Sequence, residues 1–238
     1  MQLGVCVASH IGDIDYIVRA EELGYSHAWL ADSQMIWSDC YATLALAASQ
    51  TKSIALGTGV AVAGTRPAPV NAAGIATINA IAPGRTFMGV GTGNTAMRMM
   101  GEPPQRIAEF DRYLETLRPL LRGEEAQVMT RDEKRPIRHI LPYRRFVHCP
   151  DPIPLYVSGF GPRSLGLAGS HGDGAILAMP PNPEVMEYCW SCIEAGAREA
   201  GRDLDRSSFY TCALTTISVL DEGESADSER IRAECGAF

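Results

Sequence analysis

The sequence predicts an α/β protein built on a parallel β-sheet. Short apolar runs bounded by glycine and proline alternate seven times with segments of helical periodicity, and such alternation is typical of a parallel sheet covered by helices. The 238 residues contain no repeat and no hydrophilic linker long enough to separate domains, so we expect one domain over residues 1–238. Two architectures satisfy these observations: a doubly wound open sheet, and a (β/α) barrel that lacks its last unit.

The first four strands and the helices between them have clear start and stop signals. The strands are predicted at residues 1–7, 28–31, 54–62 and 86–90. Asp13 and Asp39 are the expected N-caps of the first two helices, because a short acidic side chain accepts hydrogen bonds from the free amides of a first turn. Pro69 opens the third helix, and Pro83-Gly84 ends it.

The clearest amphipathic helix of the chain follows strand four. Its apolar residues recur every three or four positions, at Ile107, Phe110, Leu114, Leu117 and Leu121, and this spacing places them on one helix face. Three more strands are predicted at residues 155–157, 175–178 and 209–219. Helices are expected from Pro162, from Pro183 and from near Ala226.

Residues 124–152 interrupt the alternation. They have no clear period and are rich in arginine and proline, so we expect an excursion that lies over the main body, with a hairpin as one arrangement of it. Its charges fit a solvated surface, and a basic rim for an anionic ligand is the alternative.

Composition and charge narrow the class of partner. The net charge of −7 argues against nucleic acid and anionic membrane surfaces, and the apolar runs are far shorter than a membrane span. The first residues show no basic flank or cleavage site, so no signal peptide is expected. Seven scattered cysteines fit reduced thiols in the cytoplasm. The pair Cys189-Trp-Ser-Cys192 lies in a helical pattern, without a redox or zinc context.

One stretch, residues 154–178, predicts a strand, a glycine turn, a helix start, a second glycine turn and another strand. Glycines let a ligand approach the backbone, and free N–H groups at a helix start favour an anion. The turn Gly159-Phe-Gly-Pro162 is therefore a candidate anion site. The alternative is an ordinary turn between strand and helix.

Other known motifs carry less weight. Gly91-Thr-Gly-Asn-Thr-Ala96 matches a dinucleotide fingerprint, but it follows strand four instead of the first strand of its unit, and the acids beyond it, Asp111 and Glu115, lie in a helix. The five histidines are dispersed, so no metal site is predicted. His10, just past strand one, is the histidine best placed for chemistry.

Small and polar residues converge at the ends of five predicted strands. They are Ser9, Asp32, Gly59, Gly91 and Ser158. The carboxyl ends of parallel barrel strands form the active-site face, so these residues predict a site at that edge. For Asp32, helix capping or a loop hydrogen bond is the alternative role.

These segments resemble a known family. Ala28-Trp-Leu-Ala-Asp32, Leu56-Gly-Thr-Gly-Val60, Gly89-Val-Gly-Thr-Gly93 and Gly161-Pro162, with Ala168-Gly169 and Asp173-Gly174, occur in the order found in the luciferase-like flavin-dependent oxidoreductases. The resemblance covers essentially the whole chain. It implies a (β/α)8 TIM-type barrel that binds FMN or the deazaflavin coenzyme F420 at its C-terminal face, and so favours the barrel over the doubly wound sheet.

Two segments favour the F420 branch. Val60-Ala-Val-Ala-Gly-Thr-Arg66 and Gly159-Phe-Gly-Pro162 resemble the methylenetetrahydromethanopterin reductases. The resemblance implies a cis peptide between Gly59 and Val60 behind the coenzyme ring, and a phosphate near the turns after strands five and six. The implied cofactor-binding residues are Ser9, Thr58, Gly59, Val60, Gly91, Thr92, Gly93, Ser158, Gly159, Phe160, Gly161, Pro162, Ala178 and Met179.

The chain departs from the branch in two respects. Its sugar-phosphate dehydrogenases carry a histidine and a glutamate where this chain has Ser33 and Asn94, although Trp37 matches, so we do not expect oxidation of a sugar phosphate by that pair. Asp32, Ser33 and Asn94 are instead expected to orient ring and substrate, with His10 as the candidate for proton transfer. The eighth strand and helix are also missing, which implies either a fragment or an open barrel completed by a partner.

The leading hypothesis is an F420-dependent oxidoreductase that transfers hydride to or from a small organic substrate, as a cytoplasmic homodimer. The first alternative is an FMN-dependent two-component monooxygenase, which needs a flavin reductase as partner. The second is a truncated barrel that binds a flavin or a partner without catalysis.

Overall fold

The computed structural model describes residues 2–130, 133–141, 144–179 and 182–235. Its strands are β1 (Gly4–Val7), β2 (His27–Leu30), β3 (Ala55–Val62), β4 (Thr86–Gly91), β5 (Ala126–Thr130), β6 (Glu133–Ile137), β7 (Leu155–Ser158), β8 (Gly174–Leu177) and β9 (Tyr210–Ala213). Its helices are α1 (Asp15–Glu22), α2 (Cys40–Gln50), α3 (Ala68–Ile81), α4 (Asn94–Met99), α5 (Ile107–Leu121), α6 (Pro162–His171), α7 (Pro183–Glu199) and α8 (Glu229–Cys235).

Seven strands form one curled parallel sheet in the order β1-β2-β3-β4-β7-β8-β9. Every neighbouring pair is parallel, and the register shifts once, between β3 and β4 at Thr58/Ala61. Over the ranges described, β1 and β9 are the two edges and do not pair with each other. The sheet is thus an open (β/α) barrel without an eighth unit, which confirms the predicted fold.

Alternation along the strands separates two cores. Outward residues such as Met88 and Val90 join the large core under the helices, whereas Phe87 and Tyr156 belong to a separate cluster. Because successive side chains of a strand point to opposite faces, this second cluster fills the barrel interior.

Helices α6 and α7 approach each other through glycines. A Cβ on Gly169 would lie 1.9 Å from the carbonyl oxygen of Ile193, and a Cβ on Gly196 would lie 2.0 Å from that of Gly166. These distances are impossible for real Cβ atoms, so only glycine allows this crossing. The crossing fixes the orientation of α6, whose N-terminus follows the candidate anion turn.

The excursion contains the expected hairpin, since β5 and β6 pair antiparallel with each other. Within the described ranges they form a separate two-stranded sheet and do not pair with the barrel strands. Within the described ranges, no helix has both the length and the apolar character needed to cross a membrane.

Three sequence expectations at element ends are wrong. Asp13 does not cap α1, because the helix begins two residues later, at Asp15. The Asp13 amide instead donates to the His10 carbonyl in a turn. The last predicted strand ends at Ala213 instead of residue 219. Its partner β8 stops at Leu177, whose carbonyl accepts the last ladder bond from Leu214. The final helix starts at Glu229, three residues later than expected. By contrast, Asp39 caps α2 as predicted.

Candidate functional site

The barrel interior is aromatic at the N-terminal ends of the strands. Trp29 and Phe87 lie 4.2 Å apart between ring centroids, and Tyr156 and Tyr210 lie 4.6 Å apart. His27 completes this layer, 5.4 Å from both Phe87 and Tyr210. The five rings close the lower end of the barrel and form a floor beneath its C-terminal mouth.

Above this floor the interior residues of β3, β4 and β7 become small, whereas Ile176 of β8, in register with Ser158, packs on the aromatic cluster. Gly59 lies against Trp29 on the neighbouring strand, since a Cβ there would be 2.7 Å from Trp29 Cβ. A Cβ on Gly91 would lie 3.1 Å from Val60 Cγ2 and 3.5 Å from Ser158 Cβ. Val60, Gly91 and Ser158, which belong to three adjacent strands, therefore converge on one point of the mouth. Of the five strand-end residues predicted to converge, Gly91 and Ser158 meet at this point.

The peptide bond between Gly59 and Val60 is cis, as the family resemblance implied. It coincides with the shift in register between β3 and β4. The next candidates, Thr92 and Gly93, follow β4 and are partly buried, and Gly93 has a left-handed φ of +79°. A Cβ on Gly93 would lie 2.1 Å from Val62 Cγ1, so glycine is required there.

Two predicted hydroxyl ligands are engaged within the protein. Ser9 Oγ donates to the Ala31 carbonyl at 2.6 Å, and Thr58 Oγ1 donates to the Gly89 carbonyl at 2.6 Å. Both residues are buried. In this structure they connect neighbouring strands, β1 to β2 and β3 to β4.

Asp32 lies at the end of β2 with its side chain only 2% exposed. Its Oδ2 accepts from Arg66 Nη1 at 2.6 Å and from the Val62 amide at 3.4 Å, and its Oδ1 accepts from Gln34 Nε2 at 2.7 Å. All three neighbours donate, and an ionised carboxylate is an acceptor only. The arrangement therefore suits the charged form of Asp32.

Two opposing effects act on this carboxyl group. Burial raises the pKa of Asp32, and the charge and hydrogen bond of Arg66 oppose that rise. The net direction is upward, since removing a charge from water is costly even beside an opposite charge. For Arg66, burial alone lowers the pKa, but the pairing with Asp32 prevails and raises it.

A buried polar network supports Arg66 from behind. Its Nη2 donates to Asp39 Oδ2 at 2.9 Å, and its guanidinium lies 5.1 Å from the ring centroid of Tyr41. The Tyr41 hydroxyl donates to Asn71 Oδ1 at 2.9 Å, and Asn71 Nδ2 donates to the Tyr113 hydroxyl at 2.5 Å. The network joins the loops after β2 and β3 to α2, α3 and α5.

The candidate anion turn caps its own helix. The amides of Phe160 and Gly161 both donate to Ser164 Oγ at 3.2 Å, and the Gly159 amide donates to the Ile176 carbonyl at 3.4 Å. Pro162 has no N–H, so an anion here would meet the first turn of α6 and the exposed Arg163. Phe160 is 62% exposed at the rim.

The remaining candidates lie around the mouth. His10 is exposed in the loop after β1, and Asn94, the first residue of α4, accepts from Arg98 Nε at 2.7 Å. The Ser33 carbonyl accepts from the amides of Ile36 and Trp37. Ala178 and Met179 follow β8 and are partly buried.

Sequence reasoning missed Arg66 and Gln34 as members of the site. Arg66 stood in a motif that was read for the family only, and Gln34 lies two residues beyond Asp32. Arg66 is a weak signal for this site in the sequence, because it lies 34 positions from Asp32. An amide close to a predicted carboxylate, such as Gln34, is a weak signal as well. Within the described ranges, no group of three or more His, Cys, Asp or Glu side chains could hold a metal ion.

Fold and site together define a class: a parallel (β/α) barrel with an aromatic floor and a candidate ligand site at its C-terminal mouth. The chain belongs to the luciferase-like monooxygenase family, whose family model matches residues 12–237. The family predicted from the strand-end motifs is thus confirmed.

Two relatives show how much of the chain is shared. It is 32% identical over 192 residues to a 5,10-methylenetetrahydromethanopterin reductase of Methanolobus tindarius, a match that covers 79% of this chain and 56% of the relative. It is 30% identical over 201 residues to an F420-dependent hydroxymycolic acid dehydrogenase of Mycobacterium tuberculosis, with 77% and 53% covered. The chain spans little more than half the length of these relatives.

A solved structure has the same fold. The coenzyme F420-dependent tetrahydromethanopterin reductase of Methanopyrus kandleri aligns with a TM-score of 0.74 and 25% sequence identity, over 90% of this chain and 65% of that chain.

Proposed function

We propose that this chain binds coenzyme F420 at the C-terminal mouth of the barrel and transfers a hydride between the coenzyme and a small organic substrate. The change from aromatic to small residues along the barrel interior is the observation that carries the proposal. The names of the relatives support the choice of coenzyme. Because the chain spans only part of their length, its activity is inferred and the substrate stays open.

The residues at the mouth fit a planar ring. The aromatic floor supplies a packed base of tilted rings, and Gly59, Val60 and Gly91 add little side-chain bulk above it. Ligand sites are mostly apolar, with a few polar groups that fix orientation. Gly59, Val60, Gly91, Thr92 and Gly93 would hold the ring. Next to them on β7, Ser158 and the turn Gly159–Pro162 would meet the phosphate, with Ala178 and Met179 beside them.

When bound, the deazaflavin supplies the carbon that accepts or releases the hydride, and the protein supplies orientation. Ser33 and Asn94 follow β2 and β4 and would orient the substrate over the mouth. His10 is exposed after β1 and is the candidate to move a proton to or from the substrate oxygen. Asp32 is too buried to meet the substrate in this conformation, so we assign it an orienting role.

The test is a titration of the purified protein with F420 and, separately, with FMN, each followed by the coenzyme's own fluorescence. We expect micromolar affinity for F420 and weaker binding of FMN. Micromolar binding of FMN without binding of F420 would contradict the proposal and favour the two-component monooxygenase, a role consistent with the family. Mass spectrometry of the coenzyme that copurifies from a host making both gives an independent answer.

A second measurement separates catalysis from binding alone. Reduced F420 is mixed with the protein and a panel of small ketones, aldehydes and imines, and its reoxidation is followed by absorbance without oxygen. Substrate-dependent reoxidation supports an oxidoreductase. Tight binding without turnover across the panel, and without reoxidation by oxygen, would favour the non-catalytic barrel.

A further inference from the structure

The strongest unexplained feature outside the mouth is the charge cluster beside it, in which Asp32 is buried and Asp39 is exposed. Arg66 donates to two carboxylates at once, to Asp32 at 2.6 Å and to Asp39 at 2.9 Å. Its side chain is 18% exposed, against 2% for Asp32. A half-buried arginine held by two acids and an aromatic face has almost no rotational freedom.

The cluster is continuous with the proposed coenzyme site. Asp32 lies two residues beyond β2, and its Oδ2 also accepts from the amide of Val62, the last residue of β3. Val60, two residues earlier, lines the mouth beside Gly91. The position of the Asp32 carboxylate therefore affects the end of β3, where the ring is proposed to bind.

Gln34 indicates that the carboxylate is held in its charged form. Its Nε2 faces Asp32, while its Oε1 is buried without a hydrogen-bond partner in the described structure. A neutral Asp32 could donate to that oxygen after a flip of the amide. In the observed orientation Gln34 supplies a donor to Asp32 and so suits the charged form of the carboxyl group.

We propose that Arg66 is a positioning residue of the coenzyme site: by holding Asp32 as a fixed carboxylate, it sets the end of β3 against which the coenzyme packs. Protonation of Asp32 weakens the ion pair and releases the Val62 amide. The mouth then loses the shape that binds the coenzyme. The affinity for the coenzyme therefore decreases as the pH is lowered. This inference rests on the proposed function only for the identity of the coenzyme.

The titration of Asp32 depends on the charged and titratable groups that face it from three elements. Arg66 lies in the loop after β3, Asp39 and Cys40 lie at the start of α2, Tyr41 follows on the same helix, and Tyr113 lies on α5. Arg66 is the single cation among them. Its removal leaves Asp32 buried beside Asp39 without a compensating charge.

The first experiment needs no coenzyme. The side-chain carboxyl of Asp32 is titrated by carbon NMR, with its signal assigned through Asp32→Asn, in the wild type and in Arg66→Met, Arg66→Lys and Arg19→Met. We expect the midpoint to rise by about one pH unit or more in Arg66→Met and to stay near the wild-type value in Arg66→Lys. Arg19→Met is the charge-matched control, because over the described residues the ion-pair partner of Arg19 is the exposed Glu22, and the Asp32 midpoint should not move in this variant.

The amide signals of Val60 and Gly91 report on the mouth in the same spectra. We expect them to shift with the Asp32 midpoint in the wild type and to lose that dependence in Arg66→Met. Equal midpoints in the wild type and Arg66→Met, or mouth amides that ignore the Asp32 titration, overturn the proposal. If Arg66→Met does not fold, the wild-type amides decide the question alone.

The second experiment measures F420 affinity against pH. The F420 affinity of the wild type should fall at least tenfold as the pH is lowered through the Asp32 midpoint. At pH 7, Arg66→Met should bind F420 at least tenfold more weakly than the wild type, and Arg66→Lys should recover most of the loss. A pH-independent affinity contradicts the positioning role. Complete absence of F420 binding to the wild type contradicts the proposed function instead, and the NMR titration still judges Arg66.

Discussion

The substitution Gly91→Ala is expected to impair the proposed coenzyme site while leaving the fold intact. Gly91 ends β4 with its Cα facing the barrel interior, and an added Cβ would lie 3.1 Å from Val60 Cγ2 and 3.5 Å from Ser158 Cβ. These neighbours are side-chain carbons, so a shift of a few tenths of an ångström accommodates the methyl group. Replacing a strand glycine by alanine gains about 0.5–1 kcal/mol from the unfolded chain. That gain offsets the tight contact, and we expect stability to change by less than about 1 kcal/mol.

The affinity for the coenzyme should change far more than the stability. The added methyl group occupies the point where Val60, Gly91 and Ser158 converge, which is where the ring is proposed to bind. We expect F420 affinity to fall at least tenfold, or about 1.4 kcal/mol. Urea denaturation measures the stability, and a fluorescence titration measures the affinity of the same preparation.

Gly166→Ala is the matched control. The same substitution in the middle of α6 places a Cβ 3.7 Å from Gly196 Cα and 3.8 Å from the Cys192 carbonyl oxygen, both ordinary contacts, and a helix-interior glycine gains about 0.8–1 kcal/mol on becoming alanine. It should keep wild-type affinity for F420. If Gly91→Ala binds F420 as tightly as Gly166→Ala does, the ring does not lie against β4, and the proposed geometry is wrong.

Two further predictions concern the scaffold. In Glu21, burial opposes ionisation, but hydrogen bonds from the amides of Lys52, Ser53 and Ile54 prevail and lower its pKa to about 2. Its stabilisation is therefore complete above the unfolded pKa near 4.3 and is lost as pH falls from about 4 to 2. Glu21→Gln should cost about 1 kcal/mol at pH 7 and less at pH 3, as measured by urea denaturation; an equal cost at both pH values would count against this reasoning. Gly169→Ala, with its Cβ 1.9 Å from the Ile193 carbonyl oxygen, should lower stability by about 3 kcal/mol or more, and a melting temperature like that of Gly166→Ala would show that α6 and α7 can separate at little cost.

The predicted order of elements agrees closely with the structure because the signals are local. Glycine and proline mark the strand ends, and the spacing of Phe110, Leu114 and Leu117 predicts α5, whose buried face contains all three. The Asp39 cap is equally local, since its oxygen reaches the Ala42 amide within one turn. The end of β9 was not predictable in this way, because it depends on where β8 stops.

The candidate site was likewise predictable from the sequence only where the signals are local. Small residues at the ends of β3, β4 and β7 could be picked out in the sequence, and the parallel sheet brings Val60, Gly91 and Ser158 together. The function of Asp32 could not be read there. Its buried setting depends on Arg66, whose partner choice depends on how the loops after β2 and β3 pack. The predicted homodimer stays a prediction.

By itself, the sequence determined the alternating α/β elements and, through its family motifs, the family and the (β/α) barrel; the site at the carboxyl ends of the strands stays a prediction. Periodicity and turn residues act within a few positions, so they fix elements and their order. Only the tertiary structure decided that five rings close the barrel interior, that Ser164 takes the amides of the anion turn, and that Arg66 holds Asp32. Those contacts join residues far apart in sequence, and their energies depend on burial, which exists only once the chain has folded.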